Sequence, residues 1–159
     1  MEIFSMKKMV AAGLALVALM ASAGEVKFAK TAVTVKEDAA YAELTVKRTG
    51  ADLTRVRFAT VADTAVPGGE YYATNGILTW AQGDRKDQKI RVRLMPDLVA
   101  KGEPEKSFGV RLEALDASEL APEEEAATVL TDTAVVTIRE SAKQAPGKVA
   151  VTGCPDADY

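Results

Sequence analysis

Apolar residues recur at every second position through most of this chain, in short runs bounded by turn residues. Tyr41-Ala-Glu-Leu-Thr-Val-Lys-Arg48 puts Leu44 and Val46 on one face, with Glu43, Thr45 and Lys47 on the other. The same alternation marks Arg55-Val-Arg-Phe58, Lys89-Ile-Arg-Val-Arg-Leu94, Phe108-Gly-Val-Arg-Leu112 and Thr133-Ala-Val-Val-Thr-Ile138. Period two is the strand period, so each run is a strand with one face buried. Thr49-Gly50, Pro67-Gly68-Gly69, Asn75-Gly76 and Gln82-Gly83 supply the turns between them. About seven strands at this spacing predict an all-β, immunoglobulin-like sandwich. Trp80, Phe58 and Phe108 fall on the apolar phase and are expected in its core.

The chain has no histidine and one cysteine, Cys154, among 159 residues. That removes Ser-His-Asp and Cys-His nucleophiles, histidine-ligated zinc, thiolate metal cages and intramolecular disulfides. Lys+Arg 20 against Asp+Glu 23 gives no bulk attraction for nucleic acid. A hydrolase would need paired carboxylates in a cleft; Glu103 and Glu105 are the nearest pair, on a loop with no aromatic platform. The expectation is a protein without catalytic activity.

Residues 1–23 read as an address. Met6-Lys7-Lys8 is basic, Met9 to Met20 is apolar apart from Gly13, and Ala21-Ser22-Ala23 is a small-residue cleavage site. The apolar run is shorter than the ~20 residues a membrane-spanning helix needs. Met6 is a plausible initiator. A secreted, periplasmic or cell-surface protein is expected, with its sandwich over residues 24–140. Residues 141–159 have a linker-like composition, with 148–152 as a short possible strand. Residues 114–127, with Glu123-Glu124-Glu125, read as a long, solvated acidic loop.

In order, these segments resemble the Calx-beta domain family. The resemblance is carried by Val33-Thr-Val-Lys-Glu37-Asp38, Ala42 to Gly50, Thr64-Ala-Val-Pro-Gly68-Gly-Glu70-Tyr71 and Gly76-Ile-Leu-Thr-Trp80-Ala-Gln-Gly83. Ile90 to Leu94, residues 103–108 and Ala134-Val-Val-Thr-Ile138 complete it. It implies a Greek-key sandwich, with Tyr71 buried, and a calcium site built from loop carboxylates at one end. Calcium takes six to eight oxygens, best from several converging Asp and Glu.

Carried over residue by residue, the candidate ligands are Glu37, Glu70, Asp97, Glu103, Glu105 and Glu140. Glu70 replaces the family's aspartate, Lys106 stands where a second glutamate is expected, and the terminal aspartate run is reduced to Arg139-Glu140-Ser141. Lys101, Lys106 and Arg139 lie among these carboxylates and favour their charged forms without a metal. The sequence therefore predicts a degenerate site held by ion pairs, with no cofactor or only weakly bound calcium. A calcium-binding module whose ion orders the loops is the alternative. The expected role is interaction or adhesion with a protein or glycan at the cell surface, without nucleic acid.

Arg55 and Arg57 on one strand, and Lys89, Arg91 and Arg93 on another, form two basic ladders on the solvent phase. On one sheet they would make a basic face for an anionic glycan, lipid headgroups or an acidic partner. Otherwise they are outer faces neutralised by Glu43 or Glu113.

Overall fold

The computed structural model describes residues 24–96 and 102–141. These form nine strands and no helix: β1 (Glu25–Phe28), β2 (Ala32–Lys36), β3 (Tyr41–Arg48), β4 (Thr54–Ala62), β5 (Asn75–Trp80), β6 (Gln88–Arg93), β7 (Lys106–Ala114), β8 (Thr128–Thr131) and β9 (Thr133–Arg139). One sheet has the order β6-β3-β1-β8 and the other β2-β9-β7-β4-β5. The predicted all-β sandwich is the observed fold.

The strands beyond the predicted seven are β1 and β8, each only four residues long. Four residues hold too little alternation to stand out from loop. Both arise where the chain changes sheet. β1 pairs parallel with β8 in one sheet, and after residues 29–31 β2 pairs parallel with β9 in the other. β8 passes into β9 through Asp132, whose carbonyl accepts the Leu112 N–H at 2.6 Å. The Thr31 carbonyl accepts the Val135 N–H at 2.8 Å. Strands that switch sheets in this way make the corners of a sandwich.

The inward phase fills the core as the alternation requires. Ala42, Leu44 and Val46 of β3 face Val56, Val110, Leu112 and Val136 across the sheets, all essentially inaccessible to water. Trp80 is fully buried, and its indole N–H donates to the Lys86 carbonyl at 2.8 Å. The Tyr71 ring stacks on Phe108 with centroids 4.1 Å apart. Phe58 is only partly buried against this core.

Gly50, Gly68 and Gly83 adopt positive φ, as turn glycines do. Asn75-Gly76 does not make the expected turn; it opens β5, paired with Ala59 and Phe58. The Phe58 ring lies over Gly76, where a Cβ would come within 2.9 Å of a ring carbon. Close approach, and not a left-handed turn, requires glycine there.

The acidic loop between β7 and β8 is not simply solvated. Leu115 and Ala127 bury its two ends. Arg55 grips Glu124 with two hydrogen bonds, 2.8 Å from Nε and 2.6 Å from Nη2, and the Glu124 side chain is only 2% exposed. Arg55 also donates to the Glu119 carbonyl at 2.9 Å, and Arg57 pairs with the Glu119 carboxylate. The bidentate arginine fork fixes a loop that charge alone would leave in water. The stretch from Asp116 makes a turn, with the Glu119 N–H bonded to the Asp116 carbonyl, and no helix.

Candidate cation site

The loops after β2, β4 and β6 meet at one end of the sandwich, beside the end of β9. Parallel pairing of Lys36 with Arg139 brings Glu37 next to Glu140, and the Glu37 N–H donates to the Arg139 carbonyl at 2.8 Å. Glu70 is held by the turn that starts at Val66. Its Oε2 accepts the Val66 N–H at 2.8 Å, and its carbonyl accepts the Met95 N–H at 2.8 Å. Lys106 opens β7, opposite Ile138. The Glu140 carboxylate accepts the Gly102 N–H at 2.8 Å.

Glu37, Glu70, Glu103 and Glu140 thus surround a cavity of about 30 Å³, with Lys106 and Met95 in its wall. A cavity of this size holds a water molecule or a bare ion and little more. Glu105 does not join them; it pairs with Arg139 at 2.7 Å, both more than half exposed. Asp97 lies outside the described residues.

Among the described residues, the Lys106 ammonium is a cation set into this site. Its Nζ lies 2.6 Å from Glu70 Oε1 and 2.9 Å from Glu103 Oε2. Hydrogen bonds to Glu70, then to Glu103, push the lysine well above the ordinary ammonium range. Burial pushes Glu70 upward, but the Lys106 hydrogen bond and the Val66 N–H outweigh it and hold the carboxyl below its ordinary value. Calcium needs six to eight oxygens at about 2.3–2.6 Å. Here two of the carboxylates already turn an oxygen to an ammonium, and an ion among them would meet that like charge. Among the described residues no group of three or more Asp, Glu, His or Cys is disposed to hold a metal. In this arrangement the described residues do not form a calcium site.

The two basic ladders lie on different sheets. Arg55 and Arg57 belong to β4 in one, and Lys89, Arg91 and Arg93 to β6 in the other. They do not form a common face. Glu43, opposite Arg91 on β3, pairs with Lys89 at 2.5 Å and Arg91 at 3.0 Å. Hydrogen bonds from Lys89 and then Arg91 lower the Glu43 carboxyl. Glu113 pairs with its own strand's Arg111 at 3.3 Å and not with a ladder arginine.

The sequence reading missed one buried cation. Arg48 is 6% exposed at the opposite end of the sandwich. Its guanidinium donates to the carbonyls of Asp52 and Asp84, with a long 3.5 Å contact to Ala81, and ties the β3–β4 loop to the β5–β6 loop. The signal was present: Arg48 follows Ala42, Leu44 and Val46 on the inward phase. It is a structural clamp: both terminal nitrogens are spent on backbone carbonyls, while the buried Nε has no hydrogen-bond partner.

These features define a β-sandwich with a carboxylate-lined loop end. The model of the Calx-beta domain family matches residues 20–142, and the chain belongs to that family. Among solved structures it is similar to the apo form of the Calx CBD1 domain. They share 22% identity and a TM-score of 0.62, over 75% of this chain and 98% of that one. The Calx CBD2 domain is similar at 19% identity and TM-score 0.62, over 75% and 88%. So is the calcium binding domain CBD12 of CALX1.1, at 24% identity and TM-score 0.58, over 72% and 44%. Likeness at these identities carries the fold. No curated protein matches the sequence.

Proposed function

We propose that this chain is a secreted, non-catalytic Calx-beta interaction or adhesion module whose cation site is filled by its own lysine. The observation that carries the reading is the Lys106 ammonium within 2.9 Å of both Glu70 and Glu103. A tethered ammonium does for the loop end what a bound ion does in a calcium-binding domain: it holds converging carboxylates together. The difference is that its concentration never changes, so the loops stay ordered whatever the ion supply. Secretion rests on the basic, apolar and small-residue succession of residues 1–23. The absence of a catalytic role rests on the lack of histidine and on the engagement of Glu103 and Glu105 in ion pairs.

Calorimetric titration of calcium into the intact chain tests this reading. No saturable heat is expected up to about 5 mM calcium, several times the upper Kd of about 1 mM for extracellular modules. Saturable binding with Kd below about 1 mM supports the alternative, a calcium-binding module whose ion orders the loops.

A further inference from the structure

The outer face of the β6-β3-β1-β8 sheet carries Lys27 of β1, Lys47 of β3, and Lys89, Arg91 and Arg93 of β6. Against these five cations the same face sets Glu25 and Glu43, leaving an excess of three positive charges on a chain of net charge −3. On the opposite sheet Arg55, Arg57, Arg111 and Arg139 each have a carboxylate partner, and Lys36 on its edge strand β2 is the exception among the described residues. On the β6 side, Glu43 serves both Lys89 and Arg91, and among the described residues no carboxylate pairs with Lys27, Lys47 or Arg93.

Two further details point to an anion. Lys27 and Lys47 stand directly opposite each other in the β1–β3 register. Like charges so placed destabilise a sheet unless something negative lies between or above them. Arg93 stacks its guanidinium 5.0 Å above the Tyr72 ring and is registered with Tyr41 on β3. Both tyrosines are about half exposed. Arg93 is exposed, and a guanidinium held over a ring keeps N–H donors that can fork a carboxylate or sulfate.

We infer that this face binds an acidic polysaccharide, a chain of sugars bearing carboxylate groups. The cations form a file that runs along β6 and turns across β3 onto β1, so it matches a linear polyanion better than a plane of headgroups. Tyr41 and Tyr72 flank Arg93 at one end of the file. Tyr41, about half exposed, offers apolar ring surface to sugar C–H groups, while Arg93 on its Tyr72 platform takes the carboxylate. The inference names the partner class for the interaction module proposed above and rests on that reading.

Binding of the intact chain to immobilised polygalacturonate in chelator tests it, with dextran sulfate, oligothymidylate and anionic phosphatidylglycerol vesicles as competitors. Expected is saturable, salt-sensitive binding that falls about tenfold for Arg93→Gln and for Lys27→Gln/Lys47→Gln. Tyr41→Ala/Tyr72→Ala is expected to weaken it severalfold at unchanged charge, and Lys36→Gln on the opposite sheet to leave it unchanged. Melting temperatures confirm that each variant is folded. Tighter binding to oligothymidylate or to vesicles, or binding indifferent to the tyrosines, overturns the polysaccharide assignment. No binding to polygalacturonate overturns it as well; the calcium titration above is a separate readout, so failure here is distinguishable from failure of the lysine-filled site.

Discussion

The ammonium of Lys106 donates to the carboxylate of Glu70 at 2.6 Å, 36 residues away in sequence, and so joins the start of β7 to the turn before Tyr71. That turn is fixed from two further sides, by the Val66 N–H on Glu70 Oε2 and by the Tyr71–Leu94 bridge. The lysine thus ties the start of β7 to this turn and, through Glu103, to the loop that precedes it.

Its pH dependence follows from the two shifts. Glu70 is held below its ordinary 4.5, so its contribution to stability is full above that value and is lost as pH falls through the lower folded value. Lys106 is raised above its ordinary 10.5, so its contribution is full below that value and is lost as pH rises through the raised folded value. The pair therefore stabilises the fold fully between about pH 5 and about pH 10. Lys106→Met is expected to lower the melting temperature across that window and to converge on the native chain as pH falls below the lowered Glu70 value. A difference that persists unchanged into acid would assign the loss to packing.

Releasing the acidic loop requires only one change. Arg55→Met removes both bonds to Glu124, whose carboxyl those bonds lower against the opposing effect of burial. Residues 115–127 should then open locally, and a glutamate-specific protease should cut there severalfold faster while the rest of the sandwich stays resistant. Equal cutting rates would show that Leu115 and Ala127 hold the loop without the arginine.

Gly76 and Phe58 test the close approach. A Cβ on residue 76 would lie 2.9 Å from the Phe58 ring. Gly76→Ala is expected to cost about 1–3 kcal/mol in denaturant unfolding. In Gly76→Ala/Phe58→Leu the clash is gone, so the two costs should add to less than their sum. Strict additivity would place the strain elsewhere.

Arg48→Met keeps the apolar stem and removes the donors to the Asp52 and Asp84 carbonyls. A loss of about 2–3 kcal/mol is expected, since buried acceptors left without donors cost more than the bonds themselves contribute. A loss below about 0.5 kcal/mol would mean that water satisfies those carbonyls.

How much of this was legible depended on distance along the chain. Period two in β3, β6 and β9 is local, and it placed Leu44, Ile90 and Val136 in the core directly. The inward phase of Arg48 was equally local. Sheet membership was not. Nothing within β4 or β6 says which partner each takes, so only pairing separates Arg55 and Arg57 from Lys89 to Arg93. The same holds for Asn75-Gly76, whose dipeptide fits a tight turn until the Phe58 ring is seen above it. At the loop end, position in the family pattern marked Lys106 as a departure. Which carboxylates it meets depends on four segments converging, and that removed Glu105 to Arg139.

The most direct test of the lysine-filled site is thermal melting of the intact chain and of Lys106→Glu, each in chelator and in about 5 mM calcium. An ion that binds only the folded state raises stability by RT ln(1 + [L]/Kd), about 1 kcal/mol at fivefold excess over Kd, or roughly 3–5 °C for a domain of this size. Coincident melting of the native chain in the two conditions is expected, with a calcium-dependent rise for Lys106→Glu, in which a carboxylate replaces the ammonium. A rise of several degrees in the native chain would contradict the lysine-filled site.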